Sequence, residues 1–197
     1  GCTSLKNVTI PGTLKRVSKN MFYGCSSLVE VTLESGVNKI GPYSFYQCSN
    51  LENVNVPKTL TMVETWAFGY CKKLKTFYIP DGCTMIDSAA FYYCQILNDI
   101  QIPNTVTSIG THCFRGCGSL ADITLSNALK TIQYRVFDGC AFFRIRIPDS
   151  VTTIGENAFL MCKGLKSVNL KHVEHIGSWA FERASLTEVT LGNGVES

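Results

Sequence analysis

The sequence predicts a repeat solenoid, a stack of 22–23-residue coils with a parallel β-sheet on its concave face and short helical turns on its convex face. Three observations predict it. Phenylalanines recur at Phe22, Phe45, Phe68, Phe91, Phe114, Phe137, Phe159 and Phe181, first in steps of 23 residues and then of 22. Three residues after each stands a small side chain: Cys25, Cys48, Cys71, Cys94, Cys117, Cys140, Cys162 and finally Ala184. Short apolar alternations, from Val8/Ile10 to Val189/Leu191, keep the same period. A unit this short can bury its apolar face only against its neighbours, so residues 1–197 read as one solenoid of eight to nine units without a central core.

The elements of one unit follow from Leu97 to Cys117. Leu97-Asn98-Asp99-Ile100-Gln101-Ile102 alternates, with Ile100 and Ile102 facing one way and Asp99 and Gln101 the other, the pattern of a half-buried strand. Pro103 and Asn104 break the ladder and turn the chain. Val106 and Ile109 supply two further inward positions, and Gly110 permits a tight turn. Cys113, Phe114 and Cys117 then share one side at helical spacing, over a stretch that can form one or two turns only if packing holds them.

Stacked in register, the nine alternations make one parallel sheet, roughly 40 Å long at the ~4.8 Å spacing of strands. The pairs Leu14/Val17, Val37/Ile40, Leu60/Val63, Cys83/Ile86, Val106/Ile109, Leu129/Ile132, Val151/Ile154 and Val173/Ile176 suggest a second, narrower ladder. Strands pack more closely than helices, which places the main sheet on the inner side of a modest curve.

Composition narrows the function. At 45% hydrophobic and 17% charged the chain is neither disordered nor a charge-rich coiled coil. A net charge of +3 without any basic run argues against nucleic acid as a partner. No apolar stretch reaches the ~20 residues of a membrane span. The chain opens partway through a unit, since Gly1-Cys2-Thr3-Ser4-Leu5 matches Gly24-Cys25-Ser26-Ser27-Leu28, and it ends partway through another. With no polar caps visible, the expectation is a piece of a longer protein, whose open end strands invite end-to-end self-association.

The pattern Phe-x-x-Cys-x-x-Leu-x-x-Val-x-Leu/Ile-Pro, clear from Phe68 to Pro80, and the closing Ile154-Gly155-Glu156-Asn157-Ala158-Phe159, resemble the BspA-like leucine-rich repeat. The resemblance covers the whole chain. It departs from the commoner leucine-rich repeat, whose buried Asn or Cys ladder is replaced here by Thr13, Gly36, Thr59 and Gly82. It implies a cell-surface or secreted module for adhesion or protein binding, with a host surface or matrix protein among the partners, and no enzymatic activity. A structural spacer in a larger surface protein is the alternative. No nucleophile motif, phosphate loop or triad arrangement stands against the non-enzymatic expectation, and no cofactor is implied.

Eight of the ten cysteines fall in one repeat column. Equivalent stacked residues point the same way, which holds their Cβ atoms ~4.8 Å apart, beyond ordinary disulfide reach, so buried free thiols are expected. The groupings His112-Cys113 with Cys117, and His172 with His175, lack the pairing of a metal site. His112 and His175 sit at variable positions and are expected at the surface.

Two outward columns of the main strands vary in type while the core columns do not. They offer a candidate recognition surface of Asn55, Tyr78, Asp99, Gln101, Asp122, Thr124, Arg144 and Arg146, centred on Tyr78, with aromatic and arginine side chains as anchors. A rival surface lies on the helical side, where Tyr43, Trp66 and Trp179 share one column, Tyr23, Tyr46 and Tyr92 a second, and Tyr70 and Tyr93 a third. Packing of these rings between units is the competing reading.

Overall fold

The computed structural model describes residues 1–195 and shows a parallel β-solenoid. The first strand column comprises β1 (Asn7–Ile10), β3 (Glu30–Leu33), β5 (Asn53–Asn55), β8 (Asp99–Gln101), β10 (Asp122–Thr124), β12 (Arg144–Ile145), β14 (Ser167–Leu170) and β16 (Glu188–Leu191). A second column of two-residue strands comprises β2 (Arg16–Val17), β4 (Lys39–Ile40), β6 (Met62–Val63), β7 (Met85–Ile86), β9 (Ser108–Ile109), β11 (Thr131–Ile132), β13 (Thr153–Ile154) and β15 (His175–Ile176). Every pairing is parallel and matches equivalent repeat positions, such as Val8 with Val31, Val31 with Val54 and Ile40 with Val63. The narrower ladder read from the second apolar pairs is therefore present.

The main column is not the single unbroken sheet that the alternation suggests. Its ladders are β1-β3-β5, β8-β10 and β12-β14-β16. The Phe77/Ile79 segment forms no strand and holds one isolated bridge, Thr76 to Asp99. Phe77 stands where other coils carry Val or Ile, and its larger ring packs against Phe68 and Phe91 at 5.0 Å each. The second interruption falls between β10 and β12, which lie side by side without pairing. Here the loop is one residue shorter: Phe142 follows Cys140 by two residues, whereas Leu120 follows Cys117 by three. The larger Phe142 ring fills the leucine slot, fully buried and edge-on to Phe137 at 5.3 Å.

The convex face corrects a second expectation. It contains no α-helical turns among the described residues, and the one short helix is a 3-10 turn at Gly12–Leu14. Backbone amides instead alternate between two acceptors. Phe45, Gln47 and Tyr43 donate to Ala67, Gly69 and Thr65 of the next coil, while Ser44, Tyr46 and Cys48 donate three residues back within their own coil. The alternation places two residues per coil in the left-handed region, four apart, as in Tyr43 (φ 54°) with Gln47 (φ 60°) and Trp66 (φ 59°) with Tyr70 (φ 61°). Each costs about 1–2 kcal/mol outside glycine, and the inter-coil bonds hold them there. The Phe-x-x-Cys spacing fits such a turn pair as well as a helix.

The core is a set of columns. Phe45, Phe68, Phe91, Phe114, Phe137 and Phe159 are buried to within 1% and stack at centroid spacings of 5.1–5.8 Å along the axis, from Phe22 to Phe181. Beside them runs the thiol column. All ten cysteines are free; nine are buried and Cys2 is exposed. Cys48, Cys71, Cys94, Cys117, Cys140 and Cys162 each donate Sγ–H to the phenylalanine carbonyl of the preceding coil, at 3.1–3.2 Å. Each such carbonyl from Phe45 to Phe137 also accepts the amide of its own coil's cysteine, so the thiol occupies its second lone pair.

Candidate functional site

The pleat of the main column sends Val31, Ile100, Ile123 and Ile145 inward and leaves the residues on either side of each in solvent. All eight candidate residues are exposed. Six of them, Tyr78, Gln101, Asp122, Thr124, Arg144 and Arg146, line one groove of about 690 Å³ across four successive coils. Its floor holds Ile79, Ile102, Ile123 and Ile145, and it crosses both the irregular Phe77 coil and the β10/β12 interruption. Asn55 lies outside the groove, tied by its amide nitrogen to Glu30 Oε1 at 3.2 Å and Thr32 Oγ1 at 3.3 Å. Asp99 does not line it either, and accepts a 3.1 Å bond from Gln101 Nε2. A shallower groove of about 430 Å³ continues from Arg144 and Arg146 past Ser167, Asn169 and Thr190.

The electrostatics of the groove are uncompensated. No ion pair within 4.0 Å engages Asp99, Asp122, Arg144 or Arg146 among the described residues. The Arg144 guanidinium lies 5.7 Å from the centre of the Phe143 ring, and Phe143 is 57% exposed. Tyr78 is 55% exposed. Phe143 was not among the sequence candidates; the shortened spacing from Phe137 to Ile145 was the available sign that this coil differs.

The rival aromatic surface is spent on packing between coils. Tyr23 stacks on Tyr46 at 5.1 Å, Tyr43 on Trp66 at 6.2 Å and Tyr70 on Tyr93 at 5.5 Å, while Trp66 meets Tyr92 at 4.6 Å. Burial raises the Tyr46 and Tyr92 hydroxyl pKa values. Trp179 takes no part in these contacts and is 64% exposed.

His112 departs from the expected surface position. It is half-buried between Tyr92 and Tyr134, with ring centres 6.4 and 4.9 Å away. Burial, helped by Arg115 and Arg135, lowers its pKa. Close by, buried Asp138 receives Arg115 Nε at 2.9 Å and Arg135 at 3.4 Å. His175 is exposed. No cluster of metal-ligating side chains occurs among the described residues, and none of their helices is long and apolar enough to cross a membrane.

The fold has solved counterparts. A leucine-rich repeat protein of T. pallidum superposes with a TM-score of 0.70 at 27% identity, over 92% of this chain and 77% of that one. A leucine-rich cell surface protein of Faecalibacterium prausnitzii A2-165 gives 0.60 at 23% identity, over 95% and 79%. A leucine-rich repeat protein of Bacteroides ovatus gives 0.64 at 23% identity, over 97% and 70%. No curated protein sequence matches the chain significantly. The family model for the BspA type leucine-rich repeat region matches in six copies over residues 1–98 and 84–197. With the coil, the phenylalanine stack and the thiol column all repeating across that span, the chain belongs to the BspA-type leucine-rich repeat family.

Proposed function

We propose that this protein is a surface-displayed or secreted binding module that holds a protein ligand against its concave sheet. The observation that carries the reading is the groove over four coils, where Tyr78, Arg144 and Arg146 are exposed and neither arginine has an ion-pair partner among the described residues. Exposed tyrosine and arginine side chains are the usual anchors of protein interfaces. The F. prausnitzii neighbour, described as a cell surface protein, supports the location by likeness of fold alone. Adhesion, with a host surface or matrix protein as ligand, is the finer form of this proposal, and the module itself performs no reaction.

The test is a binding screen of extracellular proteins with the wild-type chain and with Tyr78→Ala and Arg146→Ala. The expected result is a captured protein whose affinity falls at least about tenfold in each variant. A confirmed ligand that binds both variants unchanged rejects the concave site. A chain that captures nothing, inside a longer protein whose other regions do, favours the role of a spacer.

A further inference from the structure

The groove carries an ordered sequence of chemistries along the solenoid axis. Coil by coil it presents Tyr78, then Gln101, then Asp122 with Thr124, then Arg144 with Arg146, while Asp99 lies outside it and accepts a bond from Gln101. Asp99 and Asp122 stand directly opposite each other in the β8/β10 register. Like charges at such positions repel, and no ion pair within 4.0 Å engages either carboxylate among the described residues; Gln101 donates to Asp99. One coil further, Arg144 and Arg146 flank Ile145 and are the only cations of these two columns. An acidic stretch beside a basic one, with no ion pair within 4.0 Å joining them, is complementary to a ligand of opposite pattern.

Resting on the concave-face reading above, we infer that the groove takes an extended peptide that seats a basic side chain over Asp122 and, two residues along, a carboxylate between Arg144 and Arg146. The spacing follows from geometry. Adjacent coils are ~4.8 Å apart, and side chains on one face of an extended peptide recur every ~6.6 Å, so a basic-x-acidic segment lying across the strands spans one to two coils. Two guanidinium groups offer a carboxylate several charge-assisted hydrogen bonds. Tyr78, at the acidic end, supplies an apolar contact for the preceding residue. The same arrangement disfavours a polyanion, which would meet Asp81, Asp99 and Asp122 on one side of the arginines and Glu188 on the other.

The experiment selects a displayed random dodecapeptide library on the whole chain, then measures the enriched peptides against Arg146→Glu, Asp122→Lys and Tyr78→Ala. All three positions are exposed, and circular dichroism verifies that each variant folds. The expected outcome is enrichment of a basic residue followed two positions later by Asp or Glu. Arg146→Glu should weaken these peptides at least tenfold, and exchanging the peptide's acidic residue for Lys should restore binding to that variant. Enriched peptides without this pattern, lost in Tyr78→Ala but indifferent to Arg146→Glu, overturn the charge assignment and leave the concave reading standing. No enrichment over an Arg146→Glu/Tyr78→Ala double variant overturns both. Stronger binding to heparin than to any peptide, abolished by Arg146→Glu, replaces the peptide with a sulfated polysaccharide.

Discussion

Raising the pH should unfold this protein steeply, because its core is lined with thiols that cannot ionise where they are. Burial raises the pKa of Cys48 and Cys162 to about 12, and those of Cys71, Cys83, Cys94, Cys113, Cys117 and Cys140 upward as well. In the unfolded chain each thiol returns to an ordinary value near ~8.5. The folded pKa therefore lies above the unfolded one. The stabilisation is fully present below about pH 8.5 and is lost as the pH rises towards 12, because the unfolded state then binds fewer protons. Each thiol held protonated shifts the folding equilibrium about tenfold per pH unit in that window, so the seven other than Cys83, all raised well above their ordinary value, together withdraw on the order of 10 kcal/mol per unit. A chain of this length has about 10–30 kcal/mol to lose, which puts the alkaline midpoint between about pH 9.5 and 11. Tyr46 and Tyr92, also raised by burial, act in the same direction. The assay is urea unfolding followed by circular dichroism at half-unit steps from pH 7 to 11, with the triple variant Cys71→Ala/Cys94→Ala/Cys117→Ala beside the wild type. Ala184 shows that alanine fits the column position. The variant should be less stable at pH 7 yet lose stability with a slope lower by about three-sevenths. An unchanged slope refutes the reasoning, since lysines and tyrosines would then carry the whole effect.

Phe91→Ala should cost about 3–5 kcal/mol in urea unfolding, because the ring contacts Phe68, Phe77 and Phe114; the half-exposed Phe181, stacked on one side only, should cost less on the same substitution. Gly116→Ala should destabilise by about 1–2 kcal/mol in thermal melts, since φ is +73° there and an added Cβ would lie 2.7 Å from the Tyr93 ring. At pH 8 a thiol reagent should label Cys2 alone among the ten cysteines of the folded chain, and all ten in guanidinium, read by absorbance.

Where a repeat position faces the core, the sequence was legible almost residue by residue. The phenylalanine, cysteine and leucine columns are buried because any polar substitute would break a stack that every neighbouring coil shares. What stayed hidden was decided by the backbone between coils. Tyr43, Trp66 and His112 hold left-handed conformations through amides donated to the next coil, and no feature of a tyrosine, tryptophan or histidine announces that. The two breaks in the main ladder were visible as departures from the pattern, at Phe77 and at the shortened Phe137–Ile145 interval, but their effect depends on where a larger ring finds room. The candidate site divides the same way. Its residues could be assigned to the outward columns from the alternation alone. Which of them meet in one groove depends on the spacing of four coils, which excludes Asn55 and admits Asp122.

The thiol column also bears on how such a chain would fare in an oxidising environment. Cysteines this close in an oxidising environment invite cross-linking wherever their side chains can turn towards each other. Here Cys48, Cys71, Cys94, Cys117, Cys140 and Cys162 are each turned to a backbone carbonyl of the preceding coil and lie in a close-packed core, so pairing two neighbours would forfeit two hydrogen bonds and force both side chains out of the column. Ionisation, the step that starts thiol oxidation, is suppressed by the same burial. Protection should therefore belong to the folded state and not to the residues. Treated with diamide at pH 7.5, the native chain should show no intramolecular disulfide among Cys48–Cys162 by peptide mass mapping, with any oxidation confined to Cys2 or to dimers joined through it. The same treatment in 6 M guanidinium should produce mixed intramolecular disulfides and a product that no longer refolds. Disulfides between adjacent column residues in the native sample would refute the orientation argument directly.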